Sequence, residues 1–204
     1  MPLGFDWTPP PGNSKARALI TVGGLSPENW VRKGLREFVA LARRMEVPCY
    51  LVGNPSSPQF LDRVLREAPP NLNATGYLPD ARLIQLLGAT SVYAQLSYME
   101  GFGASLAEAM LAGCVPVVTR QGSLPEVVGD CGYYVGYGDE DAAHQAALAA
   151  MDDPDMGMRA RQRIVDCFPL QRRREQIAQA IEAARGHHRV PRHSQAVHTA
   201  SNHG

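Results

Sequence analysis

The feature that most constrains this chain is a repeated alternation: a short apolar run ending in a turn, then a segment with apolar residues at helical spacing. ALITVG (18–23), PCYLVG (48–53), NLNATG (71–76), SVYAQLS (91–97), CVPVVT (114–119) and GYYVG (132–136) read as six strands. The first of these, β-branched and apolar throughout, has the character of a strand buried on both faces of a parallel sheet. NWVRKGLREFVALARRM (29–45) carries Val31, Leu35, Phe38, Val39 and Leu41 at helical spacing and reads as one helix. Further helices are predicted around 58–67, at 80–88 closed by Gly88, and at 103–113 with Gly113 at its carboxyl end. Three more are expected at 139–151, about 154–166 and 170–185, with Pro154 and Pro169 marking the breaks. Such alternation with short turns places helices on both faces of one mostly parallel α/β sheet of about six strands.

The flanks differ from this pattern. Residues 1–16 are rich in Pro and Gly and read as an extended arm or linker, which leaves 17–185 as one domain. Residues 186–204 are polar and hold five of the six histidines at irregular spacing, so a disordered tail is expected rather than a metal site. Twenty basic and twenty acidic side chains cancel, which argues against a general nucleic-acid or anionic-membrane binder. The four cysteines (Cys49, Cys114, Cys131 and Cys167) form no CxxC pair and are expected to be reduced thiols in a cytoplasmic protein. No apolar run approaches the ~18 residues of a transmembrane helix, and the first residues lack the pattern of a secretory signal.

Ligands of open parallel sheets bind beyond the carboxyl ends of the strands, so the segments just after each strand carry the argument. In SYMEGFGASLAEAMLAG (97–113), Glu100 sits with Gly101 and Gly103 ahead of a helix whose first amides, at residues 103–106, have no helical partner. Such a helix start attracts anions. Glu108 follows on that helix and is able to accept two hydrogen bonds from a vicinal diol such as a ribose. From spacing alone, an ordinary glycine turn with a solvated Glu108 stands equally open. In VGGLSPENWVRKG (22–34), Lys33 is either a solvated helix charge or a cation reaching bound phosphates. Neither this segment nor EGFGASLAE matches GxGxxG, which disfavours a nicotinamide cofactor. In TRQGSLPEVVGD (119–130), the Gly122–Ser123 turn brings amides toward the same end of the sheet. Ser123 and Glu126 also fit a capping box, the reading favoured for Glu126.

EGFGASLAEAMLAGCVPVVTRQGSLPEVVGDCGYYVGYGD resembles the nucleotide-sugar-binding half of GT-B-fold glycosyltransferases, in particular retaining enzymes of family 4, whose Glu-x7-Glu motif is matched by Glu100 and Glu108. Lys33-Gly34, the LVG strand, TGYLPD (75–80) and PEVVGD (125–130) fall in the order that family shows, and the likeness covers about residues 2–168. MPLGFD is similar to the family's interdomain linker, so the chain is expected to start where the second domain of such an enzyme starts. The resemblance implies a Rossmann-like domain, one half of a GT-B fold. It implies that Glu108 binds the donor ribose and that Glu100 contacts the transferred sugar. Gly101, Phe102 and Gly103 would supply backbone contacts, with Ala104 and Ser105 opening the anion-binding helix.

By the same resemblance Lys33 would neutralise the diphosphate, the segment of Tyr77 and Leu78 would hold the base, and Leu83 would pack on it. Transfer would retain configuration by front-face attack, without a metal or other cofactor. Many relatives carry Arg where this chain has Gly24, which removes one phosphate-binding cation and leaves Arg32 or Arg120 as substitutes. The expected partners are a nucleotide sugar, such as a UDP or GDP sugar, and an unknown acceptor, with a separate acceptor-binding domain or a homodimer completing the site. Two other readings are a non-catalytic nucleotide-sugar-binding module that needs a partner domain, and a sugar-nucleotide epimerase of the same architecture.

Overall fold

The computed structural model describes residues 15–187. Most of the expected arm (1–16) and tail (186–204) lies outside the described residues; within them, Ala16 already opens the first strand and residues 186–187 close the last helix. Six strands form one sheet: β1 (Ala16–Val22), β2 (Cys49–Val52), β3 (Leu72–Gly76), β4 (Thr90–Gln95), β5 (Val115–Thr119) and β6 (Tyr133–Val135). All pairings are parallel, in the order β3-β2-β1-β4-β5-β6. The chain builds outward from β1 to β3, then returns to pair β4 against β1, with Leu19 opposite Val92 and Ile20 opposite Tyr93. The expected α/β sheet with helices on both faces is what forms.

Nine helices occur among the described residues: α1 (Pro27–Arg32), α2 (Leu35–Arg43), α3 (Pro58–Glu67), α4 (Asp80–Ala89), α5 (Ala104–Leu111), α6 (Leu124–Val128), α7 (Glu140–Met151), α8 (Pro154–Cys167) and α9 (Leu170–His187). One apolar layer joins Trp30 of α1, Phe38 of α2, Phe60 of α3 and Ala147 of α7 to one face of the sheet. The other joins Leu87 of α4, Met110 of α5, Val127 of α6 and Ile164 of α8 to the opposite face. The described side chains of α9 beyond Leu170 are exposed.

Three sequence expectations are corrected. The segment 29–45 is two helices, because Gly34 takes φ 66° and lies so close to the next loop that a Cβ there would sit 1.9 Å from the Leu96 carbonyl oxygen. Lys33 therefore ends α1 rather than lying inside a long helix. Gly88 does not close α4, which runs on to Ala89 and stops where Thr90 becomes extended to begin β4. A short helix, α6, follows the 120–123 turn, and the capping box expected at its start is absent: Ser123 has helical dihedrals and makes no side-chain cap.

At the amino edge of the sheet, Lys15 ties three elements together. Its Nζ donates to the carbonyls of Leu87 (2.8 Å) and Thr90 (2.9 Å) and lies 3.7 Å from Cys114 Sγ. Burial lowers its pKa, and burial raises that of the Cys114 thiol. Lys15→Met keeps the apolar stem but removes the ammonium from both carbonyls, leaving them the Cys114 thiol at 3.2 and 3.3 Å, so it is expected to lower stability by about 0.5–1.5 kcal/mol. Urea unfolding at an unchanged denaturant slope is the measurement.

Candidate functional site

At the carboxyl edge, where strand order reverses between β1 and β4, the loops diverge around a cavity of about 480 Å³. Gly24, Lys33, Glu100, Phe102, Gly103, Ala104, Ser105 and Glu108 all line it. Gly101 sits in the same loop, its amide donating to Glu100 Oε1 at 3.0 Å. Residues eighty positions apart in sequence thus meet because β1 and β4 are neighbours.

Backbone contacts set this geometry. The Arg32 carbonyl at the end of α1 accepts the amides of Tyr98 (2.9 Å) and Met99 (3.2 Å). Ser97 Oγ donates to the Lys33 carbonyl at 3.3 Å, and Thr119 Oγ1 donates to the Ser97 carbonyl at 2.6 Å. From β5, the turn at Gly122 presses on Glu100: it takes φ 57°, and a Cβ there would lie 2.1 Å from the Glu100 carbonyl oxygen. The amide of Ser123 donates to that same oxygen at 3.4 Å.

So held, Glu100 has its side chain only 9% exposed and lies 3.6 Å (Oε2) from Lys33 Nζ. The same Oε2 accepts Gln95 Nε2 at 2.6 Å. Glu108 comes to the cavity one and a half turns into α5 and is half-buried. Burial, and secondarily the Asp80 charge at the start of α4, raises its pKa above the ordinary carboxylate value. The first amides of α5 have no intrahelical acceptor and open onto the same space. The Ser105 hydroxyl is turned inward, accepting from Tyr93 Oη at 2.9 Å and reaching the Val22 carbonyl at 3.5 Å, so what Ser105 offers a ligand is its amide.

Other expected residues lie elsewhere. Tyr77 is exposed, Leu78 and Leu83 pack on the α4–α5 core, and Leu78 lines a separate recess with Thr75 and Arg82. The Asp80 charge, felt by Glu108, and the apolar cluster that Leu78 and Leu83 share with Phe102 link that segment to the cavity. Neither proposed substitute cation lines the cavity: Arg32 donates to Asn29 Oδ1 (2.7 Å) and pairs with Glu28, while Arg120 stacks 4.2 Å from the Tyr134 ring centroid. Among the described residues, Lys33 is the cation that faces the cavity. Glu126 meets α8 through its backbone, where Arg163 Nη2 donates to its carbonyl at 2.7 Å. Sequence reasoning passed over Gln95, whose signal was a carboxamide in the otherwise buried run SVYAQLS. No three His, Cys, Asp or Glu side chains among the described residues are grouped so as to hold a metal.

A protein-family model described as glycosyl transferases group 1 matches residues 16–153. The chain belongs to this family. It is 32% identical over 141 residues to the O-antigen chain mannosyltransferase B of Escherichia coli, a match covering 66% of this chain and 36% of that protein. It is 28% identical over 198 residues to the MMP alpha-(1->4)-mannosyltransferase of Mycolicibacterium hassiacum, covering 90% of this chain and 48% of the relative. The chain therefore spans less than half the length of these curated relatives. Among solved structures, Anabaena HepE in complex with UDP and glucose superposes with a TM-score of 0.72 at 20% identity, covering 81% of this chain and 48% of that one. Sucrose-phosphate synthase from Thermosynechococcus elongatus gives 0.72 at 22% identity, covering 83% and 46%. The chain's six-stranded parallel sheet is the GT-B-like half-fold of these neighbours, and no described helix is long and apolar enough to cross a membrane.

The position of Glu108 gives a pH signature. A carboxyl whose folded pKa is raised favours the protonated form, so its contribution to stability is present in acid and lost as pH rises through the folded value. Glu108→Gln is therefore expected to melt above the parent at pH 7, with the gap closing toward pH 4. Differential scanning calorimetry across that range checks the sign.

Proposed function

We propose that this domain binds a nucleoside-diphosphate sugar and serves as the donor half of a retaining glycosyltransferase of family 4, the C-terminal half of a GT-B enzyme. The observation that carries this reading is the meeting of Lys33, Glu100, Glu108 and the α5 amino terminus around one cavity at the strand-order reversal. A diphosphate against the α5 amides would meet both the helix dipole and the Lys33 ammonium, which together stabilise the charge that develops as the sugar leaves. Glu108 is placed to take the ribose hydroxyls as a paired acceptor, and Glu100 those of the transferred sugar. Gly101, Phe102 and Gly103 would supply backbone contacts, and the segment of Tyr77 and Leu78, beside the cavity, would hold the base with Leu83 packing on it.

In this reading the sugar departs with its bonding electrons left on the diphosphate, and the acceptor oxygen enters on the same face. The leaving phosphate takes the acceptor proton. The charge is handled by Lys33 and α5, without a divalent cation, and the acceptor is held by a further domain or a second copy. The reaction belongs in the cytoplasm, where four unpaired cysteines are at home. The UDP in the HepE complex supports trying UDP sugars first, and the mannosyltransferase relatives support trying mannosyl donors as well.

Isothermal titration with UDP, GDP, ADP and their sugars is expected to give saturable binding for at least one base, unchanged by EDTA. No binding of any of them at millimolar concentration would remove the donor-site reading, and a strict need for a divalent cation would replace its electrostatics. Lys33→Ala is expected to weaken diphosphate binding by about 1–3 kcal/mol, the range for a lost charge-assisted contact. Slow hydrolysis of the donor by the purified chain would separate an enzyme domain from a pure binding module, and an epimerised donor on chromatography would favour the epimerase.

A further inference from the structure

We infer that Gln95 is a positioning residue that aims the Glu100 carboxylate at the transferred sugar, an inference that rests on the donor-site reading above. Gln95 closes β4, a strand between two neighbours in the middle of the sheet, and is only 3% exposed. A buried carboxamide destabilises unless its hydrogen bonds are met. Here only part of them is met: Nε2 donates to Glu100 Oε2 at 2.6 Å, while Oε1 is buried with no hydrogen-bond partner among the described residues. The orientation follows from chemistry, since an ionised carboxylate only accepts and the amide nitrogen must face it. A residue kept for strand stability alone would not leave a buried acceptor empty; an aliphatic side chain fills the same space without that penalty.

What the carboxamide accomplishes is local to Glu100. Oε1 of that carboxylate is fixed by the Gly101 amide, and Oε2 is shared between Gln95 and Lys33. A diphosphate entering the cavity competes for the Lys33 charge. Once Lys33 turns to it, Gln95 is the side chain that still holds Oε2. The carboxylate then keeps its direction instead of swinging after the lysine or into water. Gln95 does not itself line the cavity, so its effect runs through Glu100.

This separates two affinities that a merely structural residue would move together. Gln95→Met removes the donor with similar volume, and Gln95→Glu keeps the shape while replacing the donor with an acceptor. Titrations of UDP, UDP-glucose, GDP and GDP-mannose would be compared for the parent, both variants, Glu100→Gln and the Gln95→Met/Glu100→Gln double variant. For the nucleotide that the parent binds, both Gln95 variants are expected to keep diphosphate affinity within about twofold and to lose sugar-nucleotide affinity by about tenfold or more. In the Glu100→Gln background, Gln95→Met is expected to add nothing further. Equal losses for diphosphate and sugar nucleotide, no loss for either, an additive effect in the double variant, or failure of both Gln95 variants to fold by circular dichroism would each overturn the inference. A parent that binds none of the four probes instead overturns the donor-site reading on which it rests, and is told apart by the parent titration alone.

Discussion

A parallel sheet sends the carboxyl ends of all its strands to one edge, and where the strand order reverses the loops on either side are led apart. In this chain the reversal lies between β1 and β4, and a lysine from one side faces a glutamate from the other across 3.6 Å. That ion pair is the hub of the site. The residue before Lys33 receives two amides of the loop that leads to Glu100, and Lys33 itself receives the hydroxyl of Ser97 in that loop. The pairing of β1 with β4 sets the two strand ends side by side, and these contacts then bring residue 33 to residue 100.

The two carboxylates of the Glu-x7-Glu motif are not equivalent. Glu100 is oriented from within, its oxygens held by an amide, a carboxamide and an ammonium with acceptor capacity to spare. Glu108 has no such donors among the described residues, is desolvated by burial, and feels the Asp80 charge as well. The energetic consequence differs for each. Glu100 is organised before any ligand arrives, whereas Glu108 carries an unrelieved burial cost that hydrogen-bond donors of a ligand would offset. A vicinal diol supplies two such donors at the spacing of one carboxylate, so in the donor-site reading proposed above Glu108 is the residue that gains most from a ligand.

Much of this was legible in the sequence, and the failures have identifiable causes. Strand existence followed from apolar runs; the rule that sites collect beyond strand ends pointed to the segments of Lys33, Glu100 and Glu108 but left Lys33 and Glu108 open as solvated charges, and only the family resemblance joined them in one site. The break at Lys33–Gly34 was not read, because Leu35, Phe38 and Val39 keep the helical period straight through it; the turn is imposed by the Leu96 carbonyl, sixty residues away. The capping box at Ser123 had the right letters, but Gly122 is pressed on Glu100 and leaves Ser123 in helical rather than extended backbone. Arg32 and Arg120 each had a nearer partner, Glu28 with Asn29 and the Tyr134 ring. Such choices depend on tertiary neighbours that local periodicity does not encode.

The precision of the site comes from where backbone, rather than side chain, fills space. Gly34 lets α2 start against the Leu96 carbonyl, and Gly122 lets the β5 turn rest on the Glu100 carbonyl, so both ends of the 96–100 loop are clamped by approaches that no Cβ permits. Between the clamps the loop has little freedom, and Tyr98 and Met99 stand exposed at its crest while Glu100 points inward. A loop fixed in this way presents a nearly buried carboxylate at low reorganisation cost, the condition under which electrostatic recognition is strongest.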